Sequence, residues 1–428
     1  MTRRAVITGV GAVSAFGVGV DALWTGLAGG RSAVGPIRSF DARTFPVQVA
    51  GEVPVVDPDA DWVIEHAGHP QIDAVADGLE GVGGLRDRKV AFALAAAAEA
   101  WRHAGLDVVA DAHVVLGLGL EHASLEDLVA VFDPATRHVD WAREPAAPLP
   151  ELRFRQPLDL AARAVAELLG ARGPVVANVS ACAAGALAIA QAAARVERGV
   201  DVVITGAADS MVNPLGVAGM ARLGAPSPRA ALDACRPFDR HRDGLVIGEG
   251  AAVFVVEDEA HARARGARPL ARVLGWGATQ DGFRLTAPRP EGELAARAMT
   301  AALARAGLPA SAVGYVNAHG TGTPLNDPAE CRALHRALGA HADRVAVSSQ
   351  KGAFGHLMAA AGAIELAAAL LAFERDLLPG TAHLTERDPD CDVDVIGPAP
   401  RPARVDVLLS SSFGFGGQNA ALCLGRWR

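Results

Sequence analysis

Lysine is almost absent. It occurs only at Lys89 and Lys351, although Lys and Arg together number 40. An arginine bias of this kind follows genome composition, yet it makes the placement of Lys351 worth noticing. A basic excess is also missing: the formal net charge is -8, which argues against a general nucleic-acid binder. Cysteine is sparse and scattered at 182, 235, 331, 391 and 423, with no C-x-x-C, so neither a disulfide framework nor a zinc site is expected. No uncharged apolar run reaches the length of a membrane span, and the mean hydropathy of +0.22 reflects alanine and valine. The start Met1-Thr-Arg-Arg lacks the apolar core and cleavage pattern of a signal peptide. The expected compartment is the cytoplasm, with no membrane partner. The glycines at 9, 11 and 17 miss the G-x-G-x-x-G spacing, which excludes a dinucleotide loop.

What is present is core-forming. Half of the 428 residues are hydrophobic, enough for a large interior divided in two. The chain is organised around Val175–Ala194, where an apolar burst reads as a buried strand, small residues turn the chain, and an Ala-rich helix follows. Cys182 falls at the first turn of that helix. Unpaired N–H groups and the macrodipole there favour an anion, so the thiol is expected to lose its proton more readily than a free one. A lone Cys among alanines also has a plain reading as a small core residue.

The rest of the chain reads as α/β. Ala5–Val13 is strand-like, Arg88–Ala104 helical, and His113–Gly119 a strand. Leu158–Leu169 is helical, while Asp201–Gly206 and Ala251–Val256 are strands. Residues 40–88 read as loops and short elements, and 120–157 as a cap or substrate-facing insertion. After a linker at 263–269 the pattern restarts, and Ala271–Thr279 repeats the glycine offset of Ala5–Val13. Glu293–Ala306 is helical, Val313–His319 and Val345–Ser349 are strands, and Leu357–Phe373 mirrors the helix after Cys182. Val405–Leu409 and Ala420–Leu424 close the chain. The expectation is an internal duplication, with halves at 1–262 and 263–428.

Three segments of the second half end strands in donor-rich turns: Asn317-Ala-His319-Gly-Thr321-Gly-Thr323-Pro, Ser348-Ser-Gln-Lys351-Gly-Ala-Phe-Gly-His356, and Ser411-Ser-Phe413-Gly-Phe415-Gly-Gly417. Ligands collect at the carboxyl ends of such strands, so these turns and Cys182 are expected to meet at one site. Taken singly, each has an ordinary role: a hydrogen-bonded structural His, a solvated Lys, a flexible glycine loop. Together, a helix-start Cys with two His suggests nucleophilic acyl chemistry with stabilisation of an oxyanion or enolate.

These four motifs resemble those of the β-ketoacyl-acyl-carrier-protein synthases, type II-like. The resemblance runs from the first strand past Gly417 and includes Pro214-Leu-Gly-Val and Gly248-Glu-Gly-Ala-Ala. It implies a duplicated thiolase-like fold with five layers, α-β-α-β-α, in a homodimer or in a heterodimer with a related subunit. It also implies decarboxylative Claisen condensation between acyl and malonyl groups delivered on acyl carrier protein. Cys182 would hold the acyl thioester, and His319 and His356 the malonyl thioester oxygen. The N–H groups of Cys182 and Phe415 would form the oxyanion hole, with Phe415 also a gate. Lys351 would give electrostatic support, with Glu365 nearby. Thr321 and Thr323 would grip the phosphopantetheine arm, with Met220, Phe413 and Glu365 as further substrate-binding residues. No metal or diffusible cofactor is implied. Arg222 and Arg229 are candidates for docking the acidic carrier protein.

The sequence departs from the family pattern in places. Ser180 stands where threonine is usual, Arg284 where many elongating members have histidine, and residues 52–86 and 120–157 diverge. These departures suggest a specialised pathway of polyketide or aryl polyene type rather than housekeeping fatty-acid elongation, which is the other chain extension the resemblance allows. A carrier-independent thiolase would want a second cysteine in the late glycine motif, which reads Ser-Phe-Gly-Phe. The other reading is a non-catalytic partner subunit that sets chain length, although such subunits generally lack the nucleophile.

Overall fold

The computed structural model describes residues 3–55, 57–120, 123–140, 151–152 and 154–428. The first half supplies β1 (Ala5–Ser14), β2 (His113–Leu118), β3 (Val175–Asn178), β4 (Val202–Asp209) and β5 (Gly250–Asp258). They lie in the order β3-β2-β4-β5-β1, with β2 parallel to both neighbours and β5 antiparallel to both of its own. The second half supplies β6 (Ala271–Gln280), β7 (Tyr315–Asn317), β8 (Ala346–Ser348), β9 (Val407–Gly414) and β10 (Gln418–Arg426). Their order, β8-β7-β9-β10-β6, repeats the first with the same directions. Val6 and Ile7 of β1 pair with Arg272 and Ala271 of β6, which joins the two halves edge to edge.

The helices that position the site are α1 (Arg88–Ala104), α2 (Leu160–Leu168), α3 (Ala184–Glu197), α4 (Pro214–Arg222), α5 (Glu293–Ala306), α6 (Asn326–Leu338) and α7 (Ala361–Arg375). Helices α1 and α2 cover the outer face of the first sheet, and α5 and α6 that of the second. Between the sheets lie α3 and α7, whose alanines build the central core with Ile189, Ile364 and Phe254. This is the expected α-β-α-β-α arrangement. Alanine suits the middle layer because a helix buried on every side must approach two sheets closely.

The repeated glycines have a physical cause. A Cβ at Gly9 would lie 2.1 Å from the Ala100 carbonyl oxygen, and one at Gly11 2.1 Å from that of Ala96. At Gly275 and Gly277 the same atom would lie 2.3 and 2.0 Å from the carbonyls of Ala302 and Ala298. So α1 rests on the backbone of β1 as α5 rests on β6. Each strand also carries an irregularity just before its first such glycine, at Ile7/Gly9 and Val273/Gly275.

Several expectations need correction. The strand before Cys182 is not buried: Val175 is 37% exposed, and among the described residues β3 is the edge of the sheet, paired with β2 alone. Residues 40–88 hold more helix than expected, at Ala60–Ala67 and Ile72–Gly81. The first is capped by Asp59, which accepts from the Trp62 N–H, and by left-handed Gly68; it packs on α1, while the second packs on the first and on α2. In 120–157 the described part holds a helix, Leu125–Ala130, and a short hairpin, while 121–122, 141–150 and 153 lie outside the described residues. The strand expected over 313–319 is shortened to β7, because His319 and Gly320 turn away to bond Glu330.

Candidate active site

Two sharp turns face one another across the middle layer. In the first half, β3 passes through Ser180, whose hydroxyl donates to Asn178 Oδ1 at 2.5 Å, to left-handed Ala181 (φ 46). Cys182 follows in a 3₁₀ turn that opens α3. In the second half, left-handed Met358 (φ 43) starts the 3₁₀ turn that opens α7. The two helix starts meet at glycines: a Cβ at Gly185 would lie 2.9 Å from the Ala363 nitrogen, and one at Gly362 3.2 Å from that of Ala186. A side chain at either glycine would push the helix N-termini, and with them the site, apart.

His319 leaves β7 into a loop pinned by two carboxylates from the first turns of α6. Glu330 accepts the N–H of His319 (2.8 Å) and Gly320 (2.7 Å), and the Ser411 hydroxyl (2.7 Å). Asp327 accepts the N–H of Thr321 (3.0 Å), Gly322 (3.2 Å) and Phe238 (2.8 Å). The Thr321 and Thr323 hydroxyls bond each other at 2.8 Å. Behind His319, Lys351 Nζ bonds the His319 carbonyl oxygen and Glu365, and lies 3.3 Å from His319 Nδ1. His356 Nδ1 accepts the Met358 N–H at 3.1 Å. The rings of His319 and His356 stand edge to face at 5.3 Å, and Phe413 packs on His319 at 5.6 Å.

A cavity of about 430 Å³ gathers Cys182, His319, His356, Thr321 and Thr323. Met220, Phe413 and Phe415 line it as well, so the four turns do converge. Lys351 and Glu365 do not reach it: both are fully buried behind His319, and Glu365 touches Lys351 rather than a ligand. Arg229 is drawn into an ion pair with Asp243 at 2.8 Å, whereas Arg222 is exposed at the end of α4 beside the cavity mouth.

The electrostatics reverse one expectation. Burial pushes the Cys182 thiol up to about 12, although the Lys351 charge and the Phe415 N–H, which donates toward the sulfur, pull it down. At neutral pH the sulfur therefore holds its proton. His319 and His356 are held well below the ordinary imidazole value by burial and by the Lys351 charge. Both rings are neutral at pH 7. Because each Nδ1 faces a donor, each ring keeps its proton on Nε2. The site thus combines a protonated thiol at a helix start with two neutral imidazole donors.

Sequence reasoning missed Asp327, Glu330, Asp209 and Asp281. Asp327 and Glu330 carried a signal, since acidic residues right after a glycine-rich turn can bond its N–H groups from a helix start. Asp281, in the loop noted only for Arg284, is buried at the cavity and accepts from Asn419 (2.8 Å) and from the Arg289 N–H (2.8 Å). Among the described residues no cluster of His, Cys, Asp and Glu could hold a metal ion.

Residues 2–262 match the model of the β-ketoacyl synthase N-terminal domain, and residues 270–385 that of the C-terminal domain. The chain belongs to the β-ketoacyl synthase family. It is 36% identical over 436 residues to a 3-oxoacyl-[acyl-carrier-protein] synthase 2 of Synechocystis, covering 100% of this chain and 99% of that one. A putative polyketide beta-ketoacyl synthase 1 of Streptomyces cyaneus is 39% identical over 438 residues, covering 99% and 98%. Among solved structures, the ishigamide ketosynthase/chain length factor superposes with a TM-score of 0.85 at 32% identity, covering all of both chains. The fold is therefore the duplicated thiolase-like one, and this ketosynthase is a condensing acyltransferase. No described helix is long and apolar enough to cross a membrane.

Proposed function

We propose that this ketosynthase joins an acyl group held on Cys182 to a malonyl unit on acyl carrier protein, in polyketide or aryl polyene-type chain extension. The observation that carries the reading is the pair of imidazoles, each with a donor at Nδ1 that leaves Nε2 to carry the proton, sharing one cavity with the helix-start thiol. In the first half-reaction Cys182 Sγ attacks the acyl thioester of the phosphopantetheine arm. The carbon–sulfur bond to the arm breaks, and the Cys182 proton passes to the departing sulfur. The exchange needs no external base, which suits a thiol that burial keeps protonated. N–H groups of Cys182 and Phe415 would hold the oxyanion.

In the second half-reaction malonyl carrier protein replaces the first. The Nε2–H groups of His319 and His356 donate to the malonyl thioester oxygen. The bond to the carboxylate breaks, CO2 leaves, and its electron pair forms the enolate. That carbon attacks the acyl-Cys182 carbonyl, and collapse expels the sulfur as a thiolate, which takes a proton from solvent. A protonated imidazole would also donate, but a neutral one leaves the substrate carboxylate free of a competing cation. Thr321 and Thr323 would hold the arm, which comes with the substrate, so no other cofactor enters. The exposed Arg284 at the mouth and the polyketide synthases among the relatives support a specialised pathway.

The edge of β3 supports a second chain, the same or related, pairing beside Val175 and Val179, which are 37% and 44% exposed. A non-catalytic chain-length role is disfavoured by Cys182, His319 and His356 standing together. Intact-protein mass spectrometry with a panel of acyl carrier proteins tests the reading. An adduct on wild type, absent from Cys182→Ala and discharged by malonyl carrier protein with CO2 release, is expected. No adduct with any primer refutes a condensing role for the chain by itself.

A further inference from the structure

The second lysine has no part in the mechanism above, yet it is as deeply placed as the first. Lys89 is 3% exposed and bonds Asp87, itself 1% exposed, and the Leu120 carbonyl at 3.0 Å. Asp87 also accepts the Ser210 hydroxyl at 2.8 Å. The Ser210 N–H donates to Asp209 Oδ1 at 2.8 Å, and Asp209 Oδ2 accepts the Ala359 N–H at 2.8 Å. Ala359 is the neighbour of Met358, whose own N–H donates to His356 Nδ1. A continuous buried line of bonds therefore runs from Lys89 to the turn that carries the His356 ring.

The duplication shows why a carboxylate sits there. Cys182 follows left-handed Ala181 in one half, and Ala359 follows left-handed Met358 in the other. Asp209 ends β4, and Gly414 ends β9 at the corresponding place, each paired with the first residue of the next strand. At the first turn the 414–415 loop lies over Cys182, and the Phe415 N–H points to the sulfur. At the second turn Asp209 fills the equivalent position, so a fixed carboxylate occupies the helix-start N–H that an oxyanion would otherwise meet. Room is made by Gly119, where a Cβ would lie 2.4 Å from the Asp209 carboxyl.

We propose that Asp209 is a positioning residue for His356: it locks the left-handed 358–359 turn whose N–H sets the ring's tautomer, and Lys89, through Asp87 and Ser210, holds Asp209 in place. A non-glycine left-handed residue persists only where its surroundings hold it, and this bond is the hold on its C-terminal side. Lys89 electrostatics also counter the burial that raises Asp209 to about 6. The proposal concerns decarboxylation and rests on the condensing reading.

The test compares Asp209→Ala, Asp209→Asn and Lys89→Met with wild type. Three quantities are measured: CO2 release from malonyl carrier protein, acyl loading of Cys182, and the ring ¹⁵N shifts of His356. Asp209→Ala is expected to lower kcat for CO2 release about tenfold or more, with KM and Cys182 loading within about threefold. The His356 shifts should move from the Nε2–H pattern toward a tautomer mixture. Asp209→Asn keeps one oxygen for the Ala359 N–H and should recover most of the rate, while Lys89→Met should shift both readouts in the direction of Asp209→Ala. Unchanged His356 shifts in Asp209→Ala, or a loss of loading as large as the loss of CO2 release, overturns the proposal. Wild type that releases no CO2 would instead refute the condensing reading, and the ring shifts would still decide the role of Asp209.

Discussion

The carboxylate of Glu330 offers a direct test of how the His319 loop is held. Its two oxygens take three donors, with His319 N–H and Ser411 hydroxyl on Oε1 and Gly320 N–H on Oε2. The side chain is 1% exposed, so water cannot replace a lost partner. Glu330→Gln preserves shape but has one oxygen. Placed at Oε1, that oxygen keeps two bonds and sets an NH2 group against the Gly320 N–H. One charge-assisted bond is lost, about 1.5–3 kcal/mol, and buried donors are left facing each other, about 1–3 kcal/mol more. Burial already raises the Glu330 carboxyl, so removing its charge returns part of this cost. The net loss is about 3 kcal/mol, or about 3 °C in Tm for a chain of this length unfolding as one unit. Ser411→Ala, which removes a single donor, should cost about 1 kcal/mol. Calorimetry gives the stability order, and CO2 release from malonyl carrier protein gives the effect on His319, expected to fall about tenfold in Glu330→Gln. A Tm within about 1 °C of wild type together with CO2 release within about twofold would refute the reasoning.

Two further outcomes follow from the site. Because burial raises the Cys182 thiol, its thiolate fraction climbs with pH, so iodoacetamide alkylation of ligand-free enzyme should rise about tenfold per unit from pH 7 to 9. A plateau below pH 8 would mean that the helix start and Phe415 outweigh burial. Arg222→Glu should raise KM for carrier-protein substrates about three- to tenfold and leave small thioester substrates unaffected, and an unchanged KM removes Arg222 from the docking face.

Two of the four outer helices were legible to the residue, while α2 was read a residue or two too long at its ends and α6 was not read as a helix. Both α1 and α5 were bounded correctly because a sustained apolar period ends in glycine, at Gly105 and Gly307, in the left-handed cap each helix needs. The glycine echo between β1 and β6 revealed the duplication before its cause was visible. Cys182, His319 and His356 were legible because small and donor-rich residues mark strand-end turns. What remained hidden depends on partners far away in sequence. The thiol was misjudged because the local signal, a helix N-terminus, favours the anion, while the opposing effect is burial by Met220, Leu245 and Met358. The edge position of β3 was invisible for a related reason: Val-Val-Ala is apolar whether its missing neighbour is another strand of the same chain or one from a second chain.

Asp209 shows the same limit most sharply, since its decisive partner lies 150 residues away and belongs to the other half. A duplicated fold creates two equivalent helix starts, each with N–H groups able to meet an anion. In this chain one start carries Cys182, the proposed nucleophile, and the other is closed by a carboxylate from the opposite half. The asymmetry that makes a single active site therefore lies in the contents of the two turns as much as in the presence of one cysteine. On the proposed role, replacing Asp209 frees the turn beside His356, whereas it reaches Cys182 only by removing a charge that raises its thiol.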